Sequence, residues 1–111
     1  MKELTRIEEM LLLTIWKLGA EAFGVRIRKF VSSLGGRDFT YGHLYSALHQ
    51  LSQKGYVEKT IGNSAPGRGG RRRIYYTVTR EGRESLRAAR QLHEKFWDGI
   101  SLSPGNAGSP E

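Results

Sequence analysis

The sequence predicts a mainly α-helical fold closed by a small β-hairpin, on three observations. Three segments ahead of Gly55 carry apolar residues at helical spacing, with capping residues before them and glycines behind. From Tyr56 the pattern switches to period two in two short runs, residues 56–61 and 73–78. Between them lies N-S-A-P-G-R-G-G-R-R-R, residues 63–73, with four arginines, no acid and a Gly-rich backbone that cannot bury itself.

The first helix is expected over residues 4–18. Ile7, Leu11, Ile15 and Leu18 form one stripe, Thr5 and Glu8 a capping box, and Gly19 the stop. The second, residues 24–34, should turn Val25, Ile27, Phe30, Val31 and Leu34 inward and Arg26, Arg28 and Lys29 outward, ending at Gly35-Gly36. The third, residues 41–54, starts at Thr40, a good N-cap, with Phe39 placed to staple onto Leu44. Its Leu44, Leu48 and Leu51 must face the first two helices. That leaves Tyr41, His43, Tyr45, Ser46, His49, Gln50 and Gln53 around the other faces.

In the hairpin, Ile74, Tyr76 and Val78 share a face. A last helix is expected over residues 79–100, capped by Thr79, with Glu81 and Glu84 at its positive end. Leu86, Ala89, His93, Phe96 and Ile100 recur on it at three-and-four spacing, flanked by Leu92 and Trp97. This stripe could fold back on the first helix. A helix of more than about five turns outruns so small a domain, however, so its free face calls for a second copy of the chain. The organisation expected is a winged helix-turn-helix domain over residues 1–80, a C-terminal dimerisation helix over 81–100 and a disordered tail over 101–111.

Charge is unevenly spread. Residues 22–80 hold eleven bases against Asp38 and Glu58, a net +9, whereas the two flanks together are slightly acidic and bring the whole 111-residue chain to +7. A positive field confined to one part of a small domain attracts a polyanion by releasing its counterions. The third helix fits this setting: its outer set contains no carboxylate, and uncharged donors and acceptors can bond base edges or phosphate oxygens where Glu or Asp would be repelled. Three helices followed by a basic-tipped hairpin match the winged arrangement, in which the third helix enters the major groove and the wing touches backbone or minor groove.

Other classes lack their parts. The chain has no cysteine, so there is no disulfide framework and no thiolate metal site. The longest apolar run, residues 10–16, is too short to span a bilayer, and Glu3, Glu8 and Glu9 do not suit a signal peptide; a cytoplasmic protein with no membrane partner is expected. Gly67-Arg68-Gly69-Gly70 completes neither a P-loop nor a dinucleotide fingerprint. His43 and His49 fall on different helix faces and His93 stands apart, so neither metal nor cofactor is expected, and no nucleophile–base set assembles. An RNA-binding winged helix, or a basic module for an acidic protein partner, would share the same charge pattern.

The residues resemble the PadR-type transcriptional regulators over residues 4–86. Phe23-Gly24 ahead of a basic amphipathic helix looks like that family's second helix. Gly42-His43-Leu44-Tyr45 with Leu48, Leu51 and Gly55-Tyr56-Val57 is similar to its G-T-L-Y-x-x-L-x-x-L-x-x-x-G-L-I. Arg72-Arg73-Ile74-Tyr75-Tyr76-Thr77-Val78-Thr79 followed by Gly82 is similar to its R-R-K-Y-Y-x-L-T-x-x-G, with His43 replacing the usual Thr and Ile74 a usual basic residue. The resemblance implies a homodimeric, DNA-binding repressor with no enzymatic activity. The residues expected at double-stranded DNA are Arg26, Lys29, Thr40, Tyr41, His43, Tyr45, Ser46, His49 and Gln50 from the helices, with Arg68, Arg71, Arg72 and Arg73 from the wing. Those expected at the dimer interface are Leu86, Ala89, Leu92, His93, Phe96 and Trp97. In that family short members without a second domain sometimes bind flat hydrophobic effectors near that interface, which makes a small aromatic effector stacking on Phe96 and Trp97 an expected partner.

Overall fold

The computed structural model describes residues 3–62 and 73–104. Its elements are α1 (Arg6–Leu18), a 3-10 turn (Gly19–Glu21), α2 (Gly24–Gly35), α3 (Tyr41–Gln53), β1 (Val57–Ile61), β2 (Ile74–Val78) and α4 (Arg80–Trp97). No helix among the described residues is long and apolar enough to cross a membrane.

Helix α1 begins at the predicted capping box: the Glu8 amide donates to Thr5 Oγ1 at 3.1 Å and the Thr5 amide to Glu8 Oε1 at 2.9 Å. Gly19, at φ 57°, ends it. Leu11, Leu12 and Ile15 of α1, Ile27 and Val31 of α2, and Leu44, Leu48 and Leu51 of α3 form the core with Phe39, Tyr56, Val57, Tyr76 and Val78. Strands β1 and β2 pair antiparallel from Val57 opposite Val78 to Ile61 opposite Ile74. A third, minimal strand joins them. The Tyr76 amide donates to the Ala22 carbonyl at 2.9 Å, and Phe23 bridges Tyr75, so the start of α2 is stitched to the hairpin.

Two polar devices fix the helices to one another. Lys54, which caps the end of α3, donates from Nζ to Glu8 Oε1 at 2.6 Å and to the Glu3 carbonyl at 3.0 Å, with the Glu8 side chain only 6% exposed. At the other end of the hairpin the Thr79 hydroxyl accepts from the Gly82 amide at 3.0 Å and donates to the Gly55 carbonyl at 2.7 Å. Gly82 is buried there, and a Cβ on it would overlap the Tyr56 carbonyl oxygen and lie 2.8 Å from Val78 Cγ1. The motif glycine is thus required by the close approach of α4 to the hairpin rather than by any unusual backbone angle.

Several sequence expectations need correction. Val25 and Leu34 are exposed instead of buried. Val25 lies across the helix from Ile27, and Leu34, in the last turn of α2, lines an open groove with Met10, Leu13 and Phe30. Arg28 is not simply outward: it is half-buried and bonded to the chain. Ile74 keeps the strand alternation that puts it on the face of Tyr76 and Val78 but is itself exposed, opposite the exposed Ile61 at the loop end of the hairpin. Helix α4 stops at Trp97 rather than near Ile100, since Asp98 leaves helical angles and Gly99 takes φ 76°.

Candidate nucleic-acid interface

Residues Ser32 and Arg28 lie one turn apart on α2 and together hold both backbone groups of Phe39. The Phe39 amide donates to Ser32 Oγ at 3.1 Å, and Arg28 Nε donates to the Phe39 carbonyl at 2.6 Å. This fixes the turn between α2 and α3, and the next residue, Thr40, caps α3 by accepting from the His43 amide at 3.1 Å. The side chain of Phe39 is buried in the core, and its ring meets that of His43 at 5.4 Å.

With Leu44, Leu48 and Leu51 buried, α3 turns Tyr41, His43, Tyr45, Ser46, His49 and Gln50 outward, and Thr40 is exposed beside them. Tyr41 and Tyr45 stack with ring centres 6.0 Å apart, and the Arg28 guanidinium sits 4.7 Å over the Tyr41 ring. The far end of Tyr45 rests on Gly24, the first residue of α2; a Cβ there would overlap the Tyr45 hydroxyl and press on its ring. Burial pushes the Tyr76 phenol above its ordinary pKa, and the Tyr45 phenol nearby adds to the rise.

The sequence-predicted bases divide into two groups. Arg26 and Lys29 are exposed on α2. Arg73, at the base of the wing, is half-buried, with its guanidinium 4.2 Å over the Phe23 ring, and Phe23 in turn meets Tyr75 edge-on at 5.5 Å. Arg68, Arg71 and Arg72 lie outside the described residues. The acid-free polar face of α3 thus has Arg28 of α2 at its start, with Arg26 and Lys29 exposed on that helix and Arg73 against the Phe23 ring ahead of it. Such a surface suits a phosphate backbone with base edges beneath it.

Sequence reasoning named Phe23-Gly24 as a motif and Arg28 as an outward base but gave none of the three a place in the site. The signal for Arg28 was available in its i, i+4 relation to Ser32, a polar pair on the edge of the apolar stripe just ahead of a helix cap.

On α4, Leu86 is half-buried against the chain's own core and Ala89 is half-buried, whereas Leu92, His93, Phe96 and Trp97 are exposed. His93 Nε2 lies 3.2 Å from Glu9 Oε1 of α1. Between α1 and α4 runs a groove of about 740 Å³ lined by Leu4, Met10, Leu13, Ala89, Leu92 and His93, among others.

The sequence model of the "Transcriptional regulator PadR-like family" matches residues 12–88. A PadR family transcription regulator from Clostridium difficile R20291 shares 26% identity, with a TM-score of 0.59 over 82% of this chain and 94% of that one. A PadR-like transcription factor from Bacteroides fragilis gives a TM-score of 0.67 at 19% identity, covering 83% and 84% of the two chains. RosR from H. salinarum gives 0.65 at 23% identity, covering 90% and 83%. No curated protein matches significantly.

Proposed function

The chain belongs to the PadR-like family of transcriptional regulators, and from that premise we propose that it represses transcription as a cytoplasmic homodimer. Helix α3 lies in the major groove of its operator, and the wing arginines rest on the backbone or in the minor groove. The observation that carries this reading is the outward face of α3: Tyr41, His43, Tyr45, Ser46, His49 and Gln50 are all exposed and none is acidic, while Arg26 and Lys29 are exposed on α2 and Arg73 precedes β2. In this reading Thr40 and the bases position the duplex, and His43, Ser46 and Gln50 read it.

The dimer reading rests on α4. From Arg90 onward every described residue is exposed, including Leu92, Phe96 and Trp97. A run of large apolar side chains on a helix projecting beyond its own domain suits pairing with a second copy. Flat aromatic effectors bind the same helix, stacking on the exposed Phe96 and Trp97.

Selection of bound duplexes from a random pool tests the function: enrichment of an inverted repeat is expected. Enrichment of a single asymmetric half-site would refute the symmetric dimer, and no enrichment would refute sequence reading. Truncation after Leu86 should give a monomer by sedimentation, and a truncated chain that still dimerised would remove α4 from the interface. Effector quenching should persist in Trp16→Phe and vanish in Trp97→Phe; the reverse pattern would refute the site.

A further inference from the structure

We infer that Arg28 is a preset phosphate anchor at the start of α3, gripping one phosphate of the DNA backbone through its terminal guanidinium nitrogens. This rests on the reading of α3 as the DNA-facing helix.

The geometry of Arg28 separates it from the other bases of that surface. Arg26 and Lys29 are exposed on α2, with no hydrogen bond or ion pair to another described residue. Arg28 is held at two points: its Nε donates to the Phe39 carbonyl at 2.6 Å and its Cζ lies 4.7 Å from the centre of the Tyr41 ring. Those contacts engage Nε and the Tyr41 ring and leave the fork of the two terminal nitrogens. No acid neutralises it, because the ion pairs among the described residues are Lys54–Glu8, Arg80–Glu84, Arg90–Glu94 and His93–Glu9. The two terminal nitrogens make no hydrogen bond within the described chain, and no buried side-chain nitrogen is left without a partner, so both open to solvent.

A half-buried arginine with a fixed stem, an unpaired charge and a free fork matches the bidentate geometry of a phosphate. Its neighbours support that use. Thr40 and Tyr41 beside it are exposed, and the stack continues through Tyr41 to Tyr45, whose tip rests on Gly24. A phosphate held by Arg28 therefore sets where Tyr41 and Tyr45 meet the duplex, which links backbone grip to the register of α3.

A structural role alone, closing the α2–α3 turn, would cost stability without touching counterion release. Binding of a mixed-sequence DNA duplex by fluorescence anisotropy across a NaCl series separates the two. Arg28→Gln should reduce the log–log salt slope by about 0.9, with an affinity loss of roughly fivefold near 0.15 M salt, the share of one phosphate contact. Arg28→Lys, which keeps the charge but loses the fork and the Phe39 bond, should retain the slope and still bind more weakly.

Folding of each variant is checked by circular dichroism, and the lysine variant carries the test if the glutamine variant does not fold. An Arg28→Gln slope equal to wild type, or an Arg28→Lys protein with wild-type affinity, would overturn the anchor. His43→Ala and Gln50→Ala serve as comparators: if they lose operator preference while Arg28→Gln keeps the slope, only the anchor fails. If neither they nor Arg28→Gln alter binding, the reading of α3 fails with it.

Discussion

Replacing Gly82 by alanine adds one methyl group at the tightest point between α4 and the hairpin. The new Cβ would overlap the Tyr56 carbonyl oxygen and stand 2.8 Å from Val78 Cγ1 and 3.2 Å from the Tyr56 carbonyl carbon. Carbon–carbon contacts are relaxed at about 3.5–4.0 Å, so α4 must retreat by about 1 Å. That retreat stretches the 2.7 Å bond from the Thr79 hydroxyl to the Gly55 carbonyl beyond useful length. Overpacking costs about 1–3 kcal/mol and the lost hydrogen bond about 1 kcal/mol, against a gain of up to about 1 kcal/mol from alanine's helix propensity. The clash wins because one of its partners is backbone and cannot rotate away. A net loss of about 2 kcal/mol follows, which for a domain of this size lowers Tm by about 10 °C.

Urea and thermal unfolding measure it, and Gly42→Ala is the internal control. Gly42 also lies in a helix, but a Cβ there meets nothing nearer than Thr40 Oγ1 at 4.0 Å. Gly42→Ala should therefore be neutral or stabilising where Gly82→Ala destabilises. A Gly82→Ala protein as stable as wild type would refute the close-approach argument.

Lys54→Met strands the buried Glu8 carboxylate and should cost about 3 kcal/mol, read as a lower urea midpoint with unchanged slope. Gly24→Ala should displace Tyr45 and weaken duplex binding with little loss of Tm; in a Tyr45→Ala background the same substitution should do nothing further, and an undiminished effect there would uncouple the two residues. Because burial raises the Tyr76 pKa, the unfolded chain loses that proton first as pH rises. Stability should fall from about pH 10 upward, and less steeply in Tyr76→Phe.

What the sequence disclosed was local. The Thr5–Glu8 box, the Thr40 and Thr79 caps and the leucine stripe of α3 each depend on residues within two turns of one another, so spacing alone locates them. The outward set of α3 was legible for the same reason, since three buried leucines determine which faces remain. Contacts across the chain left no such trace. Lys54 and Glu8 lie 46 positions apart, and nothing near either names the other. Arg28 reads as one more base on a basic helix until the turn after α2 folds back and brings the Phe39 carbonyl to it. Leu34 keeps helical register with Ile27 yet is exposed, because periodicity gives a direction and not what stands there. Gly82 belonged to a recognisable motif, but its reason is a carbonyl 26 residues earlier.

Glu8 and Glu9 are neighbours in sequence, yet they serve different helices: Glu8 takes the ammonium at the end of α3, and Glu9 faces the imidazole of His93 on α4. Helix α1 thus touches the end of α3 and the later half of α4 through two consecutive side chains. Two elements far apart in sequence are therefore joined across a single Glu-Glu step of α1.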